Sequence, residues 1–96
     1  MEKLEELELA LEQAARVRGY SPKTLDAYRG WIRRYARFVA PRLVHQTGAS
    51  EVTEFVSHLA LDLEVAPSTQ GQALAALLFL FGEVLRRPTG FLHGIA

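Results

Sequence analysis

The sequence predicts an all-α protein of four helices without strands. Two observations support this prediction. Apolar residues recur every three or four positions along four separate segments, which is the period of a helix with one buried face. Proline, glycine and small polar residues lie between those segments, where helices begin and end. The chain has 96 residues, 49% of them hydrophobic, which suits one small domain with its own core.

The first helix is predicted from about residue 2 to residue 18. Its apolar stripe consists of Leu4, Leu7, Leu11 and Ala14. Glutamates occupy its first turns and arginines its last turn, an arrangement that complements the helix dipole. Gly19 is expected to end this helix as a C-terminal cap residue.

The second helix is predicted to begin at Ser21 as the N-cap, with Pro22 at the first helical position, and to end near Val39, before Pro41. Its inward stripe consists of Leu25, Tyr28, Ile32, Tyr35 and Val39. Trp31 lies beside this stripe and is expected to be a packing residue. The opposite side carries Lys23, Asp26, Gly30, Arg33, Arg34 and Arg37.

The third and fourth helices are more apolar. After a loop at residues 42–48, the third helix is predicted to begin near residues 47–50 and to end near residue 64. Its apolar face consists of Val52, Phe55, Val56, Leu59 and Leu63. The fourth helix is predicted to begin at residues 66–69, where Pro67 and Ser68 favour a helix start, and to end at Pro88. Its wide apolar stripe predicts a central helix that is buried on more than one side.

Positive charge is concentrated in one part of a chain whose formal net charge is zero. Residues 16–42 hold eight basic residues and one acid, whereas residues 1–15 and 43–85 are net acidic. The second helix carries Lys23, Arg29, Arg33, Arg34 and Arg37 against one acid, Asp26. A helix face with charges of one sign attracts a phosphate backbone, and Lys23 and Thr24 lie at the N-terminus, where free N–H groups favour a phosphate. The simpler interpretation is a solvated, charged surface.

A second candidate surface lies at the start of the fourth helix and consists of Ser68, Thr69, Gln70 and Gln72. Their hydroxyl and amide groups can bond to phosphates or to base edges. Ordinary N-capping would explain a serine or a threonine at this place, but not two glutamines. Gly71 lies between the glutamines and has no side chain. Two interpretations stay open: the glycine allows another backbone to approach closely, or it has no functional role.

Catalytic and metal-binding functions are disfavoured. The chain has no cysteine, which excludes disulfides, thiol catalysis and thiolate metal sites. His45, His58 and His93 do not have the spacing of metal ligands, and no glycine-rich phosphate loop or catalytic triad is found. Tyr28 and Tyr35 lie on the inward stripe, so we expect packing residues rather than a nucleophile. We therefore expect no cofactor, no metal, no small-molecule substrate and no catalytic residue in this chain.

Membrane and secretory signals are also missing from the sequence. The first residues are too acidic for a signal peptide. The longest apolar run, Ala73–Phe81, is far shorter than the roughly 20 residues of a membrane span. We expect a soluble, cytoplasmic protein.

Three motifs, taken in their order along the chain, resemble a known family. They are Ser-x-x-Thr-x-x-x-Tyr at Ser21, Thr24 and Tyr28, then Phe-x-x-x-Leu at Phe55 and Leu59, then Ser-Thr-x-x-x-x-Leu-x-x-Leu at Ser68, Thr69, Leu74 and Leu77. The chain from about residue 18 to residue 87 is similar to the N-terminal core-binding (SAM-like) domain of phage- and integron-type tyrosine recombinases, and most of all to that of integron integrases.

The resemblance implies a four-helix orthogonal bundle that packs on one side of a DNA duplex. The helices at residues 21–39 and 67–86 would lie against the major groove and the backbone, and a separate C-terminal domain would carry the catalytic residues. Residues 1–87 would form the DNA-binding domain, and residues 88–96 a tail or a truncated linker. Helix one would contact other recombinase protomers, and its Leu9, which falls off the main stripe, is expected to be partly exposed.

The expected DNA contacts fall into two groups. Phosphate contacts are expected from Lys23, Arg33, Arg34 and Arg37, with Arg29 as a further candidate. Weaker contacts to phosphates or bases are expected from Thr24, Ser68, Thr69, Gln70 and Gln72. Because the fourth helix has no basic residue before Arg86, which departs from the family pattern, the second helix must supply most of the electrostatic attraction. Binding by this domain alone is expected to be micromolar or weaker and strongly salt-dependent.

Two other functions are compatible with the same residues. The first is a helical protein-interaction module whose basic helix face binds an acidic partner. The second is a small helix-turn-helix regulator, which is disfavoured because no pair of helices joined by a short turn ends in a polar recognition helix.

Overall fold

A computed structural model describes residues 4–87 of the chain. It contains α1 (Leu4–Val17), α2 (Pro22–Val39), α3 (Ala49–Ser57) and α4 (Pro67–Phe79), with a short 3₁₀ turn at Val44–Gln46. The helices α3 and α4 each continue into a π-helical turn, at His58–Asp62 and Leu80–Val84. No strand occurs within residues 4–87, so the predicted all-α bundle of four helices is confirmed. The tail predicted at residues 88–96 lies outside the described residues, as do residues 2 and 3 of the predicted first helix.

The turn between α1 and α2 forms as the sequence predicts. Gly19 adopts a φ of 71°, a left-handed conformation that glycine reaches without steric cost. Its N–H donates to the carbonyl of Arg16 (3.1 Å), and that of Tyr20 donates to the carbonyl of Ala15 (3.0 Å). These two bonds make a Schellman ending that satisfies the last carbonyls of α1. The ring of Tyr20 then packs on Phe79, with ring centres 5.2 Å apart, and this contact fixes the turn against α4.

The start of α2 is also confirmed. Ser21 is the N-cap, and its Oγ accepts a hydrogen bond from the backbone N–H of Thr24 at 3.2 Å. Pro22 occupies the first helical position, where a missing N–H costs nothing. The helix ends at Val39, two residues before Pro41.

The helices α3 and α4 begin within the ranges that the sequence predicts. The N-cap of α4 is Ala66, so neither Ser68 nor Thr69 caps the helix, and Pro67 at the first position defines the start instead. The helix α3 begins after Gly48, whose N–H donates to the Glu51 carboxylate at 2.6 Å. The sequence alone does not identify the cap of either helix, because several small or polar residues at each start are equivalent candidates.

Thr47, the first residue of the range predicted for the start of the third helix, is buried in a hydrogen-bonded chain. Its hydroxyl donates to the carbonyl of Val44 at 2.7 Å. Because that hydroxyl has a single proton, the Tyr35 hydroxyl, 2.7 Å from Thr47 Oγ1, must be the donor between the two side chains. This chain of bonds ties the middle of α2 to the loop before α3.

The ends of α3 and α4 share a form that the sequence does not predict. In each π-helical turn an N–H bonds five residues back, from Leu63 to His58 (3.1 Å) and from Leu85 to Leu80 (2.8 Å). The following residues, Glu64 and Arg86, have φ values of 50° and 55°, where glycine would be usual. As a result, Leu63, predicted on the apolar face of the third helix, lies beyond the helix and is 50% exposed.

The core lies where the four helices meet. Its members with 0% exposure include Leu11, Ile32, Tyr35, Val39, Val52, Leu59, Leu77, Leu80 and Phe81. The buried stripe of α1 uses Ala15 rather than the predicted Ala14, which is half-buried, whereas Leu9 is 57% exposed as predicted. The helix α4 packs on both α2 and α3, and its π-helical turn packs on α1. Its predicted central position is confirmed.

The last described residue, Arg87, ties the end of α4 to the loop before α3. Its Nη1 donates to the carbonyl of Thr47 at 2.7 Å, and its guanidinium lies 5.0 Å from the centre of the Phe81 ring. This hydrogen bond holds the chain after α4 against the loop that precedes α3.

Candidate nucleic-acid interface

The cations on the outer side of α2 form two rows with different surroundings. Arg29 and Arg33 lie beside α1 and contact Glu8; we call them the α1-side row. Lys23 lines a groove between α2 and α4, and Arg34 stacks on Trp31, which lines the same groove; we call Lys23 and Arg34 the α4-side row. Arg37 lies between the two rows.

In the α1-side row, Glu8 is a shared counter-ion. The Glu8 carboxylate lies 2.5 Å from Arg33 Nη2, 3.0 Å from Arg33 Nε and 3.4 Å from Arg29 Nε. Asp26 adds a second acid, 3.0 Å from Arg29 Nη1. The hydrogen bond that the Arg33 guanidinium donates to Glu8 raises the pKa of this guanidinium above its ordinary value. The side chain of Glu8 is only 16% exposed, so these ion pairs are better shielded than most surface pairs.

In the α4-side row, the cations have no acidic partner within residues 4–87. Lys23 is exposed, and its side chain makes no hydrogen bond to the described residues. The guanidinium of Arg34 lies 4.6 Å from the centre of the Trp31 ring, a cation–π contact that holds the side chain without neutralising its charge. Arg37 resembles this row, because its one described polar contact is a long hydrogen bond (3.4 Å) to the carbonyl of Arg33.

A shallow groove of about 350 Å³ separates the outer edges of α2 and α4. It is lined by Lys23, Thr24, Ala27, Tyr28, Trp31, Gln72 and Ala75. The two surfaces that the sequence suggests separately therefore meet here, because Lys23 and Thr24 from α2 share one groove with Gln72 from α4. Ser68, one helical turn before Gln72, is exposed beside it.

The predicted residues of α4 are not equivalent. Gln70 is half-buried, and its Nε2 donates to the carbonyl of Val65 at 2.8 Å, so it holds the loop before α4 in place. Thr69 is half-buried, whereas Ser68 and Gln72 are exposed. Ser68 and Gln72 make no side-chain hydrogen bond within the described part of the chain, which leaves their polar groups accessible to a ligand.

Two residues of this surface were not predicted for it. Trp31 was expected only as a packing residue; it is 9% exposed and also forms the wall of the groove and the platform of Arg34. The spacing of three residues between Trp31 and Arg34 could have indicated that contact. Glu8 could not be found in this way, because its pairing with Arg33 depends on how α1 docks on α2, 25 residues away.

Gly30 lies on the outer face of α2 with open space around it. A Cβ atom added there would meet nothing within 4 Å among residues 4–87, so no packing within this part of the chain explains the glycine. Glycine in an exposed helix interior costs roughly 0.5–1 kcal/mol relative to alanine. The helix therefore carries this cost on the face that its cations share.

The tyrosines of α2 belong to the core, as predicted. Tyr35 is fully buried, and burial raises its pKa to about 12. Tyr28 is half-buried, and burial together with the neighbouring Tyr20 raises its pKa. Tyr35 is closed to any substrate. Within residues 4–87, no cluster of three or more metal-ligating side chains could hold a metal ion, and no helix is long and apolar enough to cross a membrane.

Comparison with known families agrees with this geometry. Residues 7–90 match the family described as phage integrase, N-terminal SAM-like domain. The chain belongs to this family. The match covers both helices that border the groove, and it confirms the resemblance of the chain to a phage-integrase-type N-terminal domain.

Two curated relatives are similar over most of the chain. Proteins named "Integrase/recombinase" from Escherichia coli and from Pseudomonas aeruginosa are each 45% identical over 75 residues. The aligned part is 78% of this chain and 22% of each relative. The chain therefore spans about a fifth of the length of the relatives that it matches.

Proposed function

We propose that this chain is the DNA-binding module of a site-specific tyrosine recombinase, which grips one face of the duplex at a recombination site. The observation that carries the proposal is the juxtaposition at the α2–α4 groove. Lys23, which has no acidic partner among residues 4–87, lines this groove with the exposed amide of Gln72, and Arg34 stacks on its Trp31 wall; cations beside polar groups are the combination that DNA contacts use. The names of the two relatives, "Integrase/recombinase", support the same assignment.

The two sides of the groove would have different tasks. Lys23, Arg34 and Arg37 supply charge for phosphates, which positions the domain but carries no sequence information. Gln72 and Ser68 can reach phosphates or base edges, because amide and hydroxyl groups match both. With about three phosphate contacts, the affinity should fall with a log–log salt slope of about −2.7, or about 40-fold between about 50 and 200 mM salt.

Strand cleavage and joining would be performed by another domain of the recombinase. The proposal gives this chain no catalytic residue, since Tyr35 is buried and hydrogen-bonded to Thr47. The proposed partners are duplex DNA and, in the assembled recombinase, other protomers, which would act in the cytoplasm.

The rival function, binding of an acidic protein, uses the same cations but not the polar groups of α4. An acidic peptide would be drawn to charge alone, whereas Ser68 and Gln72 favour a ligand with phosphate oxygens or base edges at a fixed distance from the cations.

The test is a calorimetric titration of duplex DNA at low and moderate salt with the wild type and a Lys23→Glu/Arg34→Glu variant. Arg16→Glu/Arg18→Glu is a charge-matched control, because it reverses two exposed arginines at the end of α1, away from the groove. A polyglutamate peptide replaces the DNA in a second set of titrations.

We expect the wild type to bind DNA at low salt, the groove variant to lose at least tenfold in affinity, and the control to lose much less. Absence of binding by the wild type at low salt would overturn the proposal. Equal losses in both variants would show non-specific attraction only, and tighter binding of polyglutamate than of DNA would favour the rival function.

A further inference from the structure

In the α1-side row, both arginines are paired with one acid, Glu8, and these ion pairs affect how much positive charge the domain presents to a ligand. We propose that Glu8 is an internal competitor of DNA phosphate: it occupies Arg33 and Arg29 and thereby limits the DNA affinity of this domain. The inference rests on the proposed function, because it concerns the same outer face of α2.

The geometry of Arg33 carries the first step. Its Nε and Nη2 both donate to Oε1 of Glu8, at 3.0 and 2.5 Å. These two N–H groups form one edge of the guanidinium fork, which is the arrangement that grips a phosphate through two parallel bonds. A phosphate must therefore displace Glu8 from this edge, or bind at the remaining donors while a carboxylate stays nearby.

The position of Glu8 carries the second step. It comes from α1, two of whose neighbouring residues, Leu7 and Leu11, are core residues at 7% and 0% exposure, so its backbone is fixed by packing. Its side chain is 16% exposed, and Arg29 approaches the same carboxylate oxygen at 3.4 Å. One fixed anion thus faces two cations, and Asp26 also holds Arg29.

The contrast along α2 carries the third step. Counter-ion release, which drives most of the affinity of basic surfaces for DNA, requires cations that phosphates can neutralise. Arg33 and Arg29 are already neutralised inside the molecule, whereas Arg34 stacks on Trp31 without an acid among the described residues. Replacing Glu8 by an uncharged residue of the same shape should free Arg33 and Arg29 for phosphates without changing any residue of the DNA-binding face itself.

The test compares Glu8→Gln with Glu12→Gln by calorimetric titration of duplex DNA over a range of salt concentrations. The two variants lie one turn apart on α1, each removes one negative charge, and each breaks an ion pair with arginine. Glu12, however, pairs with Arg16 at the end of α1, not with α2. We expect Glu8→Gln to bind about three- to tenfold more tightly than the wild type, with a salt slope steeper by about one. Glu12→Gln should change the affinity less than twofold.

A second pair of variants does not depend on the folding of Glu8→Gln. Arg33→Ala should weaken DNA binding less than twofold, whereas Arg34→Ala should weaken it at least fivefold. Equal affinities of Glu8→Gln and Glu12→Gln, or equal losses in the two alanine variants, would overturn the inference. If Lys23→Glu/Arg34→Glu still abolishes binding in that case, the proposed function stands. Failure of every variant and of the wild type to bind DNA would overturn both.

Discussion

The two rows of α2 show how the same residue type can have two roles on one helix. Arg33 and Arg34 are adjacent in the sequence and both are exposed, but Arg33 is held by Glu8 at 2.5 Å and Arg34 rests on Trp31. In the α1-side row the charge is used to dock one helix on another. In the α4-side row the charge remains available beside a polar groove. The charge that a helix carries therefore differs from the charge that it presents to a ligand.

The largest expected difference between the rows is in stability. Trp31→Ala should lower the free energy of unfolding by about 3–5 kcal/mol, because it removes a large buried ring from the α4 side. Glu8→Gln, which breaks the ion pairs of the α1 side, should cost about 1 kcal/mol or less, as partly exposed pairs do. Urea unfolding followed by circular dichroism measures both values. A smaller loss for Trp31→Ala than for Glu8→Gln would contradict this prediction, because it would show that the ion pairs of Glu8 contribute more to stability than the Trp31 ring.

The next largest effect tests whether α4 belongs to the same surface as the α4-side row. Gln72→Glu places a carboxylate in the groove beside Lys23, where it should repel phosphates and pair with the lysine. We expect about a tenfold loss of DNA affinity, which corresponds to about 1.4 kcal/mol. Gln13→Glu is the matched control, because Gln13 is exposed on α1. Similar DNA affinities of the two variants would show that Gln72 of α4 does not belong to the DNA-binding face.

The smallest effect concerns Gly30, on the outer face between the two rows. Gly30→Ala should raise the free energy of unfolding by about 0.5–1 kcal/mol, because the added methyl group meets open space and alanine favours the helix. The same methyl group should weaken DNA binding if the duplex approaches the α2 backbone closely. Thermal unfolding and DNA titration of this one variant measure the two changes separately. Higher stability with unchanged affinity would place the duplex away from the centre of the face.

Much of the fold follows from local sequence signals. Gly19, Ser21 and Pro22 define the turn between α1 and α2, and the structure confirms each of their roles. The ends of α3 and α4 could not be predicted, because Glu64 and Arg86 adopt the left-handed conformation that glycine usually signals. The start of α4 lies within the predicted residues 66–69, but residue type alone does not identify its cap, because Ala66 occupies the N-cap position although Ser68 has the chemistry of a cap.

The candidate site was predictable in composition but not in connectivity. The sequence indicates that α2 is basic and that the start of α4 is polar, since both follow from residue types and helical spacing. It does not indicate that Thr24 and Gln72 line one groove, or that Glu8 reaches Arg33, because both depend on how the helices dock. The residue type of Gln70 likewise does not indicate that its Nε2 donates to the carbonyl of Val65; its DNA contact stays a prediction.

Trp31 also gives the protein an optical reporter. It is the single tryptophan of the chain, it lines the α2–α4 groove, and it lies 4.6 Å from a positive charge that a ligand would engage. A charge so close to an indole ring shifts the energy of its excited state, so movement of the Arg34 guanidinium onto a phosphate should change the emission of unlabelled protein. Occupancy of the groove can therefore be followed by intrinsic fluorescence, in real time and without modifying either molecule.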